Sequence, residues 1–159
     1  VAAVCTGNIC RSPMAEVLLK HLVADDANLR GHVIVTSAGT ARWHVGSPMD
    51  PRARRALDRA GYRLAGTPAR FADSDYVAAQ DLVLVMTREQ RDEISGRVRG
   101  ATEVRLWRDL SEPGLGLDVA DPYYGDDRDF DACLRQLSSA APQVTSEFRR
   151  RWDARSHGA

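Results

Sequence analysis

Residues 5 to 12, Cys5-Thr6-Gly7-Asn8-Ile9-Cys10-Arg11-Ser12, constrain this chain more than any other stretch. The apolar run Val1-Ala2-Ala3-Val4 ahead of them reads as the end of a buried strand. Pro13-Met14-Ala15-Glu16-Val17-Leu18-Leu19 behind them reads as a helix start, with Pro accepted in the first turn. Strand, tight loop and helix N-terminus in this order make an anion site, because unpaired backbone N–H groups and the positive end of the helix dipole face one point. Gly7 can take positive φ without strain and Asn8 tolerates the left-handed region, so the N–H groups from Thr6 through Ile9 and Cys10 to Ser12 turn inward on a phosphate. Arg11 closes the ring, its planar fork matched to two phosphate oxygens. Donors crowded around Cys5 favour its thiolate, and Ser12 is placed to give that sulfur one more hydrogen bond. A phosphate-indifferent turn would leave the coincidence of Gly7, Asn8, Arg11 and Ser12 unexplained.

At 159 residues the chain fits one domain with a sheet covered on both faces. Lys plus Arg and Asp plus Glu are each 22, so there is no global basic field to recruit nucleic acid or an acidic membrane. Lys20 is the sole lysine. No window reaches the length of a membrane span and no leader pattern opens the chain, which is expected to be cytoplasmic and monomeric. The start on Val1, almost inside the first strand, fits a sequence lacking a few native residues. The three cysteines form no paired framework, and two lie in the anion loop, where they read as chemistry.

Ala15, Leu18, Leu19, Leu22 and Val23 continue a helix to about Asn28, with Glu16 and Lys20 an i,i+4 pair on another face. Val33 to Ser37 is β-branched enough for a buried parallel strand. Asp50-Pro51 starts a helix that Gly61 ends, with Arg52, Arg54, Arg55 and Arg59 as its wet face. Residues 63–79 read as loop and one or two helical turns. Residues 81–86 form the next strand, Thr87 caps a helix to about Arg99, and residues 104–107 form the last strand. From Arg128 the chain is helical, with Cys133 in the core and Pro142 a break or kink. Strands alternating with helices argue a three-layer α/β sandwich with a four-stranded parallel sheet, the flavodoxin-like arrangement.

Two loops complete the site. Trp43 and His44 follow the second strand, where open α/β sheets place binding loops, and from the residues alone Trp43 is equally a satellite core or a cleft wall. The loop 108–127 carries Asp118, Asp121, Asp126 and Asp127, any of which would serve as general acid, and the adjacent aromatics Tyr123 and Tyr124.

The run Val4 to Glu16, Val-Cys-x-Gly-Asn-x-Cys-Arg-Ser-Pro-x-Ala-Glu, resembles the low-molecular-weight protein tyrosine phosphatases, in their actinobacterial form, and the resemblance extends over nearly the whole chain. It implies the same fold. It selects Asp121, in Asp121-Pro122-Tyr123, as the acid; it assigns Trp43 to an aromatic specificity loop; and it assigns Ser37, with Asn8 and Ser12, to bracing the anion loop. The family's tyrosines at Tyr123 and Tyr124 are possible phosphorylation sites. The chain departs from the family at Thr67, where relatives often carry a histidine of the network behind the loop, and at Met86-Thr87, where they often carry Met-Asp.

The expected reaction is hydrolysis of protein phosphotyrosine through a phosphocysteine on Cys5, with Arg11 holding the phosphate and Asp121 as acid and then base. It asks for no metal and no cofactor. A thioredoxin-coupled arsenate reductase would need a further cysteine pair in mid-chain, and nothing between Cys10 and Cys133 supplies one. An inactive phosphate-binding module sits poorly with intact Cys5, Arg11 and Asp121. Cys10, on the nucleophile's own loop, is expected to capture oxidised Cys5 as a reversible disulfide.

Overall fold

The computed structural model describes residues 1–156. Strands β1 (Ala2–Cys5), β2 (Thr36–Gly39), β3 (Leu82–Val85) and β4 (Glu103–Leu106) pair in parallel in the order β2-β1-β3-β4. Helices α1 (Arg11–Asp25), α2 (Pro51–Arg59), α3 (Ser74–Ala78), α4 (Arg88–Ser95) and α5 (Asp127–Ser156) cover the two faces. Side chains alternate across each strand. Ala3, Leu82 and Leu84 join the larger core with Leu18 of α1 and Phe130, Leu137 and Phe148 of α5. Ala2, Val4, Val83 and Val85 join a smaller one with Val77 of α3 and Ile94 of α4. Each fully buried Leu or Phe contributes about 1.5–3 kcal/mol. The result is the three-layer α/β, flavodoxin-like fold. No helix among the described residues is long and apolar enough to cross a membrane.

Four stretches differ by more than a residue from the sequence reading, and one of them is α4, which ends at Ser95 rather than near Arg99. β2 begins at Thr36, opposite Ala2, so the β-branched Val33 and Ile34 lie ahead of the ladder and Ile34 is exposed; the paired residues are the small Ser37, Ala38 and Gly39. α1 stops at Asp25, because the Asp26 carboxylate accepts the Asn28 N–H in a turn that seats buried Leu29. α5 runs through Pro142 without a break. Leu137, Ala140, Ala141 and Val144 are buried on either side of it, and the Thr145 and Ser146 hydroxyls donate to nearby carbonyls. Trp107 is fully buried, its indole N–H on the Leu137 carbonyl.

Sheet order changes direction at β1, whose neighbours β2 and β3 lie on opposite sides. The crevice at the carboxyl end of such a strand is where open α/β sheets take ligands. Cys5 is the last residue of β1.

Candidate active site

The loop from Thr6 to Cys10 turns directly from β1 into α1. Asn8 is the one non-glycine residue with positive φ among those described, at 55°. Gly7, which could also have taken it, keeps an ordinary φ; its use is space, since a Cβ would lie 2.9 Å from the His44 ring. Gly39, at the end of β2, is tighter still: a Cβ would stand 2.5 Å from the Thr6 carbonyl oxygen. The loop therefore lies directly on the second strand. α1 starts after Cys10 with no capping side chain, whereas Asp50 caps α2 and a Thr87–Gln90 capping box closes α4. Uncapped first-turn amides are what an anion site uses.

Behind the loop runs a buried hydrogen-bond chain. The Cys5 sulfur is 3.0 Å from Ser12 Oγ, and the Asn8 amide donates to Ser12 Oγ and Ser37 Oγ, both at 2.9 Å. Ser37 donates to Glu16 at 2.5 Å, Thr67 donates to the same carboxylate at 3.0 Å, and Lys20 pairs with it at 2.5 Å. The Arg70 backbone N–H donates to the Asn8 side-chain Oδ1 at 2.9 Å. Asn8, Ser12 and Ser37 thus meet in one hydrogen-bonded group behind the loop. Glu16 pairs with Lys20 as the spacing predicts, but it is 0% exposed and terminates this chain, a role flagged only by its place among buried α1 residues. Thr67 gives the buried Glu16 carboxylate a further hydroxyl donor. Thr87 likewise has a local use, and Gln90 of the same capping box reaches back to the Thr6 hydroxyl at 3.0 Å. Gln90 was invisible beforehand, since only the fold brings residues 6 and 90 together.

Arg11 is buried, and its Nη2 lies 2.6 Å from Asp121 Oδ2 while Nη1 donates to the Val119 carbonyl at 3.3 Å. Its Nε has no acceptor among the described residues. Asp121 Oδ1 accepts the Tyr123 N–H. The other aspartates are engaged elsewhere. Asp118 accepts from the Arg88 N–H, Asp126 from the Arg128 N–H, and Asp127 pairs with Arg55 and Arg59.

Cys5, Arg11 and Asp121 line a cleft of about 220 Å³ with Cys5 at its floor and Trp43, His44, Tyr123 and Tyr124 around its mouth. Trp43 is 79% and Tyr124 97% exposed, so both are rim, and Trp43 plugs no satellite core. The Tyr123 ring stands 5.0 Å from Tyr124 and 6.4 Å from His44. A larger cavity, about 540 Å³, lies by Val1, Asp81 and Glu103 at the opposite end of the sheet and shares no residue with this cleft; its arginines 151 and 155 are paired with Glu103 and Asp81. Cys10 and Cys133 are buried free thiols. Burial, with Asp50 nearby, pushes the Cys10 thiol up, and burial pushes Cys133 up to about 12.

A parallel α/β sheet whose first strand delivers a cysteine into an arginine-closed anion loop, beneath an aspartate and aromatic walls, defines the class of cysteine-based phosphate-ester enzymes. The family description "Low molecular weight phosphotyrosine protein phosphatase" matches residues 1–154, and the chain belongs to that family. It is 39% identical over 162 residues to a low molecular weight protein-tyrosine-phosphatase of Streptomyces coelicolor, covering 98% of this chain and 96% of the relative. To low molecular weight protein-tyrosine phosphatase A of Mycobacterium tuberculosis it is 42% identical over 149 residues, covering 89% and 86%. The crystal structure of a protein tyrosine phosphatase from Entamoeba histolytica superposes with a TM-score of 0.84 at 28% identity, covering 94% of this chain and 96% of that one. The protein is accordingly a phosphatase of protein phosphotyrosine.

Proposed function

We propose that this chain, acting as one domain, hydrolyses phosphotyrosine by a metal-independent, two-step displacement on Cys5. The observation that carries the reading is the convergence in one cleft of the Cys5 sulfur, bonded to Ser12, and the Arg11–Asp121 pair at 2.6 Å. In the first step the Cys5 thiolate, stabilised by the Ser12 hydroxyl, attacks phosphorus in line. The S–P bond forms, the P–O(aryl) bond breaks, and the leaving phenolate takes the proton of Asp121. A tyrosine phenol has a pKa of about 10, so protonating it in the transition state is worth about a hundredfold or more. In the second step water attacks the phosphocysteine, Asp121 takes its proton, and phosphate leaves as the thiolate is restored. Arg11 and the loop amides hold the equatorial oxygens, and the unpartnered Arg11 Nε is a donor in reserve for them.

Specificity follows from depth. Cys5 lies at the floor of the cleft and the aromatic side chains at its mouth. A phenyl phosphate spans that distance against Ile9, Trp43, His44, Tyr123 and Tyr124, while phosphoserine is too short. The test is phosphate release from matched phosphotyrosine and phosphoserine peptides in EDTA. Wild type should turn over the first alone, and Cys5→Ser neither; equal turnover of both peptides would sink the depth argument.

Cys10 extends the reading to redox control. Peroxide converts the Cys5 thiolate to a sulfenic acid; the Cys10 thiol attacks that sulfur, water leaves, and the resulting disulfide is reopened by a thiol reductant. Recovery from peroxide as full in Cys10→Ser as in wild type would end this extension. Cys133 is on the buried face of α5 and is no substitute for the cysteine relay of an arsenate reductase.

A further inference from the structure

The sequence places Arg52 on the wet face of α2, yet its side chain is only 29% exposed and spans two loops. Its Nε and Nη2 grip both oxygens of the Asp50 carboxylate at 3.1 and 2.8 Å, and its Nη1 donates to the Gly125 carbonyl at 3.0 Å. The guanidinium also lies over the Phe130 ring, 4.6 Å from its centroid, and 5.8 Å from that of Tyr123. On the other side, the Asp50 N–H donates to the Ile9 carbonyl at 2.8 Å, inside the phosphate loop. Gly125 closes the turn after Asp121, its N–H on the Pro122 carbonyl at 2.9 Å.

We infer that Arg52 is a positioning residue for the acid step, tying the loop that carries Cys5 to the loop that carries Asp121. The inference rests on the acid role proposed above for Asp121. Among the described residues the one side chain tethering the Asp121 carboxylate is that of Arg11, the group a substrate phosphate engages. Once phosphate takes Arg11, the acid loop needs an anchor that substrate does not compete for, and Arg52 provides it from behind. The geometry demands arginine. Three nitrogens work in two directions, toward a carboxylate and toward a carbonyl, which the point charge of lysine cannot reproduce. Loss of the side chain leaves α2 capped, because Asp50 also accepts the Arg52 backbone N–H at 2.8 Å.

The test compares Arg52→Gln, Arg52→Lys, Asp121→Asn and the Arg52→Gln/Asp121→Asn double variant of the full chain. The substrates are phenyl phosphate, whose leaving group needs a proton, and nitrophenyl phosphate, whose leaving group departs without one. Arg52→Gln should lower kcat/KM, which covers only the steps through phosphoryl transfer to Cys5, about tenfold on phenyl phosphate but less than about threefold on nitrophenyl phosphate, with inhibition by inorganic phosphate held within about twofold. Arg52→Lys should fall nearer to Gln than to wild type, and in the Asp121→Asn background Arg52→Gln should add no further difference between the substrates. Equal losses on both substrates, or an undiminished Arg52 effect without the Asp121 carboxyl, would overturn the inference while leaving the acid assignment standing. If Asp121→Asn itself treats the two substrates as wild type does, the acid assignment falls and the inference falls with it.

Discussion

The Thr67 hydroxyl donates to the buried carboxylate of Glu16 across 3.0 Å, at the far end of a hydrogen-bond chain that reaches the Cys5 sulfur through Ser37, Asn8 and Ser12. Thr67→Val keeps the shape and removes the donor, so it should cost about 1 kcal/mol of stability and a few-fold in kcat, while Thr67→Ser stays near wild type. Breaking a buried ion pair typically costs about 3–5 kcal/mol. Lys20 is 32% exposed, so Lys20→Met should fall below that range, near about 2 kcal/mol. Urea unfolding together with phosphotyrosine turnover checks both.

The two glycines that touch the loop should respond differently to a methyl group. At Gly39 the obstacle is backbone, the Thr6 carbonyl oxygen at 2.5 Å, with Asn8 N at 3.1 Å behind it. At Gly7 it is the ring of His44, which can swing away. Gly39→Ala should therefore lower kcat at least about tenfold, and Gly7→Ala less, with His44→Ala rescuing Gly7→Ala and not Gly39→Ala. Steady-state kinetics on the four variants decides it.

The buried thiols give stability a definite alkaline dependence. Cys133 is pushed up to about 12 by burial, against about 8.5 in an unfolded chain. Above about pH 8.5 the unfolded state gives up a proton that the folded state retains, so this contribution is whole below that pH and declines as pH rises toward the folded value. The slope should be roughly 1 kcal/mol per pH unit for each such thiol, and Cys10, shifted the same way, adds to it. Cys133→Ala should lower the neutral-pH stability and flatten the decline between about pH 9 and 10.5, as read by denaturant midpoints.

Trp43 is rim, so its loss should be felt by substrate and not by the fold. Trp43→Ala should leave the melting curve within about 0.5 kcal/mol of wild type and raise KM for a phosphotyrosine peptide several-fold with little change in kcat.

What could be read in advance divides along a physical line. Cys5, Arg11 and Ser12 lie within one short loop whose residue types have few other uses together, and β1, β3 and α2 carry local signals strong enough to stand alone. β2 was displaced because pairing opposite Ala2, rather than β-branching at Val33 and Ile34, decides where the ladder starts. Glu16, Gln90 and Arg52 were missed or misplaced because their partners, Thr67, Thr6 and Gly125, are far away in the chain and no periodicity marks a polar residue that the fold turns inward. Asp121 was one of four similar aspartates on the residues alone, and what separates them is contact with Arg11, a property of the fold.

The central claim is that phosphate passes through Cys5. The most direct measurement is acid quench of Asp121→Asn mixed with nitrophenyl phosphate, whose leaving group departs without the acid, followed by mass analysis of the peptide bearing Cys5. With the base of the second step removed, one phosphoryl group should be found on Cys5 and lost from the Cys5→Ser variant. A Cys5 peptide free of phosphoryl at every quench time, in protein that still releases nitrophenol, would contradict the account.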